Sequence, residues 1–401
     1  MQGQATSPHE PDELLTAEQA ARVLGVTRPT LYAYVSRGLL TSRFPDVGAR
    51  ERRYAARDVQ ALLNRRAARA DPEALVRRAL YGDTPVLHTS ISVWADGALF
   101  YRGRCVSGLA KRHSIEHVAT LLWVGDHHAH TTQSLFPRTS RPAKVRTEPA
   151  ESIRDPLEAA RALIEVTLDD LTRPVLRWDV SGLAEAAARW LDRLAQRLSG
   201  ETAATDAVAT HLQRAFPSAV STRVLDAILI LGADAPMDAT TLAVRGIAST
   251  RTHPLAAVLA GLTAALGEWA STDLDAVHTL LDEAMDSSTA PRPKGSRRGA
   301  QVTPEGDPRA VALWALTREL FPGPTFTTIA TAVHQRGAPL TLPLALSTLE
   351  RVSGLPRGAG FPIWLLGRSV GWMAHVIEQS TQGTMRPAAR YEGEAPDSIA
   401  P

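Results

Sequence analysis

The longest regular hydrophobic pattern in the chain lies between residues 183 and 198. Its apolar side chains recur every three or four residues, which places them on one face of an α-helix, and Gly200 follows where that helix would end. The residues of this face are Leu183, Ala187, Trp190, Leu191, Leu194 and Leu198. The chain is also rich in alanine and leucine, and only 5% of its residues are aromatic. We therefore predict a mainly α protein.

Length and composition narrow the class of protein. With 401 residues, of which 44% are hydrophobic and 21% charged, the chain is long enough for two or three globular domains. No apolar run is long enough to span a bilayer, and the first residues lack a signal-peptide pattern. Cys105 is the single cysteine, which excludes a disulfide framework. We expect a cytoplasmic protein without a membrane partner.

Positive charge is concentrated near the N-terminus, although the whole chain carries a net charge of only +2. Residues 22–66 contain ten arginines against three acidic residues, Asp46, Glu51 and Asp58. A local excess of this size favours an anionic partner for this part of the chain.

The same region carries the signals of short helices. Thr16 and Gln19 form a capping-box pattern that begins a first helix, and Gly25 ends it. Thr27 begins a second helix, which stops at Gly38. Two short helices around a glycine-containing turn predict a helix-turn-helix.

A basic strand at 50–54, predicted to be exposed, and a third helix from Asp58 complete a domain that we place at 14–64. The order of these elements and the run Thr27-x-x-Thr-Leu-Tyr-x-Tyr34 resemble the winged helix-turn-helix of MerR and excisionase proteins. The resemblance implies DNA as a partner, although the module would also suit protein docking. It assigns DNA contacts to Arg28, Thr30, Tyr32, Arg37, Arg50, Arg52 and Arg53.

A charged connector follows this domain. Residues 65–82 are rich in arginine and alanine, and the Asp71-Pro72 pair interrupts them. We predict a linker here, with the main body of the protein starting at residue 83.

The C-terminal half of the chain also contains a clear helix start, at Asp307. Asp307 is a good N-cap, Pro308 suits the first helical position, and helix formers follow from Ala310. Arg309 places a cation in that first turn, where free N–H groups already favour anions. The two readings are a site for a carboxylate or phosphate and a solvated arginine.

Several motifs resemble those of citrate synthases. They are Gly306-Asp-Pro-Arg-Ala310, the run from Leu99 to Gly125, Gly367-Arg-Ser-Val-Gly-Trp-Met-Ala-His-Val-Ile-Glu-Gln379, and Met385-Arg-Pro-Ala-Ala-Arg-Tyr391. The resemblance covers about residues 85–395. It implies an all-α large domain at 83–274 and 366–395, a small domain at 275–365, and a homodimer.

The resemblance also assigns residues that bind carboxylate groups. In the family these arginines hold oxaloacetate, and the corresponding residues here are Arg309, Arg368 and Arg386. The last of them would reach the site of a neighbouring subunit. The sequence therefore retains the arginines that bind carboxylate groups in the family.

The catalytic positions of the family are changed. Its three histidines fall on Ala235, Ala270 and Ala300, and its aspartate falls on Leu342 or Pro343, depending on the register. In the family the aspartate removes a methyl proton from acetyl-CoA, and histidines stabilise the enolate and polarise the oxaloacetate carbonyl. None of the five residues present here can transfer a proton. Asp234, Asp238 and Glu268 are the candidates for a replacement base.

The histidine-rich run at 126–130 is the one candidate metal motif. It lacks a cysteine or a spaced second ligand pair, so we predict solvated loop histidines and no metal. We also predict a surface loop at 131–149.

Three functions remain open. The first is a catalytically impaired, DNA-binding regulator that responds to a small carboxylate or an acyl-CoA. The second is an active citrate or 2-methylcitrate synthase, for which a CoA thioester would be substrate. The third is a heteromeric partner of a complete citrate synthase. No other cofactor is expected.

Overall fold

The computed structural model describes most of the chain outside the terminal segments and several loops. The described residues are 14–43, 52–56, 58–59, 62–63, 87–126, 128–137, 156–200, 207–216, 220–266, 277–283, 285, 306–337 and 339–386. The chain divides into two compact units, Met1–His88 and Thr89–Pro401. The described residues are mainly helical, as predicted.

The N-terminal unit is a helix-turn-helix with a small antiparallel sheet. Its elements are β1 (Leu14–Leu15), α1 (Ala17–Leu24), α2 (Arg28–Ser36), β2 (Ser42–Arg43) and β3 (Arg53–Ala55). The strand order is β1-β3-β2, and helical backbone follows β3 at 56, 58–59 and 62–63.

Local sequence signals explain the helix boundaries of this unit. The Thr16 hydroxyl accepts a hydrogen bond from the Gln19 amide at 3.1 Å, and the Gln19 side chain accepts one from the Thr16 amide at 2.8 Å. Gly25 ends α1 in the left-handed conformation with φ of 61°. The predicted capping box and helix end are therefore confirmed.

The core of this unit corrects one detail of the sequence prediction. Tyr54, placed on an exposed basic strand, is completely buried and packs with Leu31 and Val59. Its neighbour Arg52 is exposed and Arg53 is half-buried. Because side chains alternate along a strand, Arg53 and Tyr54 point to opposite faces of β3, and Tyr54 lies on the face that packs against the core.

The second unit begins with a β-meander and continues as helices. The strands are β4 (Ser92–Ala95), β5 (Ala98–Tyr101) and β6 (Arg104–Cys105). The first helices are α3 (Val106–Arg112), α4 (Ile115–Val124), α5 (Ala129–Leu135), α6 (Pro156–Asp170), α7 (Val180–Ser199) and α8 (Val208–Ala215). The later helices are α9 (Thr222–Gly232), α10 (Ala239–Ala248), α11 (Pro254–Ala265), α12 (Pro308–Leu320), α13 (Pro324–Gln335), α14 (Leu342–Ser353) and α15 (Gly360–Ser380).

Helix α15 lies at the centre of this unit and packs against α4, α9, α10 and α11. Gly367 and Gly371 on α15 allow another segment of backbone to approach this helix closely. A Cβ at Gly367 would lie 2.3 Å from the Leu229 carbonyl oxygen, and one at Gly371 would lie 1.9 Å from the Ala233 carbonyl oxygen. The end of α9 and the residue that follows it therefore lie directly against α15.

A second hydrophobic cluster lies apart from this core. Its buried members are Leu280, Leu281, Ile329, Val333 and Leu344. The cluster falls within the predicted small domain at 275–365, whose boundaries stay a prediction. The predicted linker at 65–82 lies outside the described residues.

The predicted loop at 131–149 is wrong at its start, because α5 extends to Leu135. The carboxylate of Asp126 accepts hydrogen bonds from the His128 amide at 3.0 Å and the Thr131 hydroxyl at 2.5 Å. These contacts stabilise the first turn of a helix that the apolar pattern does not reveal. In the part of the chain that the structure describes, no helix has the length and apolar character needed to cross a membrane.

Candidate functional site

Arg368 is the centre of a buried polar cluster in the second unit. Its guanidinium donates to Asp234 Oδ1 at 2.6 Å, to both Asp238 oxygens at 3.2 Å, and to the Thr241 hydroxyl. It also lies 5.1 Å from the ring centroid of Trp372, one turn further along α15. Arg368 is only 1% exposed, so each of these contacts acts in an environment of low dielectric.

Asp234 is the fully buried partner of Arg368. Its second oxygen, Oδ2, accepts hydrogen bonds from the Ser92 hydroxyl and from His375 Nε2 at 3.2 Å. Burial alone would raise the pKa of Asp234, but His375, Arg368 and Ser92 hold it well below its usual range. Asp234 therefore stays ionised at neutral pH, and both of its side-chain oxygens accept hydrogen bonds.

Asp238 is the second carboxylate on Arg368. It is the N-cap of α10, where its Oδ1 accepts from the Thr241 amide at 2.7 Å and the Thr240 hydroxyl at 2.8 Å. Burial opposes the ionised form, but Arg368 and these donors lower the pKa of Asp238. Its side chain remains 35% exposed, whereas Asp234 has no exposure.

His375 links this cluster to a second buried arginine. Arg245 lies with Nη1 3.3 Å from His375 Nδ1, and the same Nη1 donates to Glu378 Oε2 at 2.5 Å. A guanidinium can only donate, so His375 Nδ1 accepts and its Nε2 carries the proton that binds Asp234. His375 and Glu378 thus join the two buried arginines through a chain of hydrogen bonds.

Tyr101, at the end of β5, fixes the chain that carries Asp234. Its hydroxyl accepts a hydrogen bond from the Asp234 amide at 2.8 Å and faces the carbonyls of Asp234 at 3.0 Å and Ile230 at 3.1 Å. Burial raises the pKa of Tyr101, and Asp234 raises it further, so the phenol stays neutral. The charges of Arg309 and Arg368 both act on this hydroxyl.

Arg309 lies on the other side of Tyr101, at the start of α12. Its side chain and amide bind Asp307, with distances of 2.7 Å from Nη2 to Oδ2 and 2.9 Å from the amide to Oδ1. The guanidinium carbon lies 5.7 Å from the ring centroid of Trp94. Arg309 is 9% exposed, so the reading of a solvated arginine is wrong. The carboxylate of Asp307, the N-cap of α12, binds Arg309 where the sequence allowed for an external anion.

The start of α12 pairs with the start of α14. The Asp307 amide donates to the Leu340 carbonyl at 2.8 Å, and Gly306 forms a parallel bridge with Leu340. Gly306 has a φ of 124°, and a Cβ there would lie 2.4 Å from the Leu340 carbonyl oxygen. This pairing brings Leu342, which is buried, and Pro343 close to the Arg309 segment.

The remaining predicted positions of the body are distributed differently. Ala235 is half-buried in the turn directly after Asp234. Ala270, Ala300 and Glu268 lie outside the described residues. Arg386 is exposed beyond the end of α15, and no ion pair joins it to a residue within the described part of this chain.

The predicted DNA-contacting residues of the N-terminal unit lie mostly on its surface. Arg28 begins α2 and binds Glu18 at 2.9 Å, with 58% of its side chain exposed. Tyr32, Arg37 and Arg52 are exposed, Thr30 and Arg53 are half-buried, and Arg50 lies outside the described residues. The second helix of the helix-turn-helix therefore presents polar side chains to solvent.

Sequence reasoning missed several residues of the buried cluster. Ser92, Tyr101, Thr241 and Arg245 were not predicted as part of a site. Tyr101 lies within one of the quoted motifs, so its position could have been noticed. The contacts of Arg245 join residues more than 120 positions apart, and no local spacing reveals them.

Two family models match the chain. Residues 80–388 match the one described as citrate synthase, C-terminal domain, and residues 14–67 match a helix-turn-helix domain. A 2-methylcitrate synthase of Shewanella oneidensis is 24% identical over 381 residues, which span 83% of this chain and 99% of the relative. A citrate synthase of Helicobacter pylori is 29% identical over 198 residues, which span 42% of this chain and 46% of the relative.

Solved citrate synthases have a similar fold. The enzyme from Pyrobaculum aerophilum gives a TM-score of 0.61 at 22% identity, covering 80% of this chain and 93% of its own. The enzyme from Thermoplasma acidophilum, in a ternary complex with carboxymethyl coenzyme A and oxaloacetate, gives 0.59 at 19% identity, with 80% and 97% covered. The enzyme from Thermotoga maritima gives 0.57 at 22% identity, with 79% and 96% covered.

Proposed function

The chain belongs to the citrate synthase family, and from this premise we propose that it is a DNA-binding regulator whose synthase-like body no longer condenses acyl-CoA with oxaloacetate. The body would serve as a sensor for a small carboxylate or an acyl-CoA. The helix-turn-helix would be its output.

One observation supports the loss of catalysis most directly. The positions that correspond to the catalytic histidines and aspartate of the family hold Ala235, Ala270, Ala300, and Leu342 or Pro343. A general base contributes about 10²- to 10⁴-fold to a rate, and an oxyanion donor about 10²- to 10³-fold. A chain that lacks both kinds of group would condense its substrates very slowly.

The two candidate replacement bases in the described residues are poorly suited to the task. Asp234 is completely buried, and Asp238 binds Arg368 and the N-terminus of α10. Both carboxylates have a lowered pKa, and a base of low pKa has little tendency to remove a carbon-bound proton at neutral pH.

The regulatory half of the proposal is supported by the N-terminal unit. A helix-turn-helix with exposed Arg28, Arg37 and Arg52 suits the phosphates and groove edges of duplex DNA. Recognition of two half-sites would need two copies of the chain, so a homodimer belongs to the proposal. Light scattering on the purified protein measures that copy number.

A thiol-release assay separates the regulator from a synthase. The full chain is mixed with oxaloacetate and either acetyl-CoA or propionyl-CoA, and free CoA is followed with time. We expect release at least roughly 10⁴-fold slower than that of a complete citrate synthase assayed in parallel. The near-complete span of the Shewanella 2-methylcitrate synthase favours an active synthase as the second candidate, and steady turnover would establish it.

Two binding experiments test the remaining parts. A gel shift with DNA from upstream of the coding sequence, run at low salt, should show retention. Absence of retention would contradict the regulatory role. If the chain instead co-purifies with a complete citrate synthase, the heteromeric role that the sequence left open replaces it.

A further inference from the structure

The two buried arginines to which the resemblance assigns carboxylate binding are surrounded by more negative charge than they carry. Arg309 and Arg368 supply two positive charges, and Asp307, Asp234 and Asp238 supply three negative ones at hydrogen-bond distance. His375 contacts the same cluster through Nε2, which lies 3.2 Å from Asp234 Oδ2. The cluster is therefore no longer a positive site awaiting an acid.

Asp238 differs from the other carboxylates of the cluster in its exposure. Asp234 and Thr241 are completely buried and Arg368 is 1% exposed, whereas 35% of the Asp238 side chain is exposed. Of these four residues, only Asp238 has a side chain with substantial exposure. An external carboxylate that binds the Nη2 atom of Arg368 has to compete with the Asp238 carboxylate that already binds it.

Asp238 is also held firmly in that place. Its Oδ1 accepts from the Thr241 amide at 2.7 Å and the Thr240 hydroxyl at 2.8 Å, so the cap of α10 fixes the same oxygen that lies 3.2 Å from Arg368. A tethered carboxylate occupies its partner without the loss of freedom that a free ligand incurs on binding.

We propose that Asp238 is a resident carboxylate which occupies Arg368 in place of a ligand and determines which acids bind there. This inference rests on the ligand-binding part of the proposed function. It makes Asp238 a specificity-determining residue for dicarboxylates. In the native chain such a ligand binds weakly, because it must displace Asp238 or share Arg368 with it.

The residue that replaces Asp238 in a test must keep the helix cap. Asparagine and serine are both good N-caps, so Asp238→Asn and Asp238→Ser remove the charge while preserving an acceptor for the Thr241 amide. Asp179→Asn is a matched control. Asp179 is the N-cap of α7, accepts from the Gly182 amide at 2.7 Å, and binds Arg177 at 3.0 Å.

The experiment is calorimetry on the full chain with L-malate as probe and its uncharged diamide as reference. Circular dichroism first establishes that each variant is folded. We expect Asp238→Asn and Asp238→Ser to bind L-malate at least tenfold more tightly than the native chain. Both variants remove the negative charge beside Arg368, which repels the negatively charged L-malate. Asp179→Asn should bind like the native chain, and the diamide should gain nothing.

Several results would overturn the inference. They are equal L-malate affinity in the native chain and both folded Asp238 variants, an equal gain for the diamide, or an equal gain in Asp179→Asn. The gel shift and the thiol-release assay do not depend on Asp238. Failure of the inference is therefore distinguishable from failure of the proposed function.

Discussion

Three arginines inside the body contrast with the arginines on the surface of the N-terminal helix-turn-helix. In the body, Arg245, Arg309 and Arg368 are buried, and each binds at least one carboxylate of the chain. In the N-terminal unit, Arg28 and Arg37 are exposed on the helix-turn-helix. The same side chain is thus neutralised inside one unit and accessible on the surface of the other.

Arginine therefore has two roles in this chain, and only the structure distinguishes them. A buried guanidinium with two carboxylates and a hydroxyl has few donors left for a ligand, and its removal would leave charges without partners. An exposed guanidinium is free to exchange its weak surface partner for a phosphate. Burial therefore indicates which arginines hold the fold and which are available to bind DNA.

The largest expected effect comes from removing a buried arginine. Arg368→Met leaves Asp234 and Asp238 without their cation, and we expect a loss of about 3–5 kcal/mol in the free energy of unfolding. Urea denaturation followed by circular dichroism measures this loss. Arg177→Met is the control, because Arg177 is 52% exposed and its surface ion pairs should contribute little to stability. Similar losses in both variants would remove the distinction.

A smaller effect is expected from crowding the same cluster. Gly371→Ala introduces a Cβ 1.9 Å from the Ala233 carbonyl oxygen and 2.9 Å from both Arg368 Nη1 and Asp234 Oδ1. The backbone must move, so we expect a loss of about 1–3 kcal/mol in the same denaturation experiment. Gly246→Ala, at a helix position with open space around it, should be neutral or stabilising. Equal stability of the two variants would show that α15 does not constrain the Asp234 turn.

Asp226, a half-buried acid, should show a pH dependence opposite to that of Asp234. Burial and the nearby Glu116 raise the pKa of Asp226 to about 7, although the Ile115 amide donates to it at 2.8 Å. Its contribution to stability is complete below the ordinary aspartate pKa and is lost as pH rises through about 7. We expect Asp226→Asn to stabilise the chain above pH 7 by on the order of 1 kcal/mol.

Asp234 provides the opposite case for that titration. Its pKa is lowered, so its contribution is present above the ordinary aspartate pKa and is lost as pH falls. Asp234→Asn should therefore be less stable than the native chain at pH 7. Urea midpoints measured from pH 2 to 9 test both signs, because the Asp234 contribution changes only below the ordinary aspartate pKa. A parallel response of the two variants would contradict the charge arrangement described for them.

The smallest expected effect concerns DNA. Arg28 and Arg22 both bind Glu18, at 2.9 Å and 3.7 Å, but Arg28 lies on α2 and Arg22 on α1. Arg28→Gln should lower the slope of log affinity against log salt by about 1, and Arg22→Gln should leave it unchanged. Neither should change stability by more than about 0.5 kcal/mol. Equal slopes in the two variants would mean that α2 does not face the phosphates.

Local rules predicted much of the fold. The Thr16 capping box, the left-handed Gly25 and Gly200, and the helix start at Asp307 and Pro308 all lie where the sequence places them. The hairpin turn at Asp96 and Gly97, with φ of 48° and 71°, rests on an equally local signal, an aspartate–glycine pair. Each of these signals acts over a few residues, so one sequence is sufficient to read them.

The partners of the charged residues could not be predicted in the same way. Asp234 and Asp238 were candidates for a catalytic base, yet they lie on Arg368, about 130 residues later in the chain. Arg309 was considered a solvated side chain or an anion site, yet it binds its own N-cap, Asp307. Charge type follows from the sequence, whereas the pairing of charges depends on tertiary packing.

The central claim is that the body retains its arginines but lacks the groups that transfer protons. Turnover in the thiol-release assay, with oxaloacetate and acetyl-CoA or propionyl-CoA, tests it most directly. With a complete citrate synthase assayed in parallel, we expect a turnover lower by roughly 10⁴-fold or more, from the loss of base and oxyanion donor together. Turnover within about tenfold of that enzyme would contradict the claim.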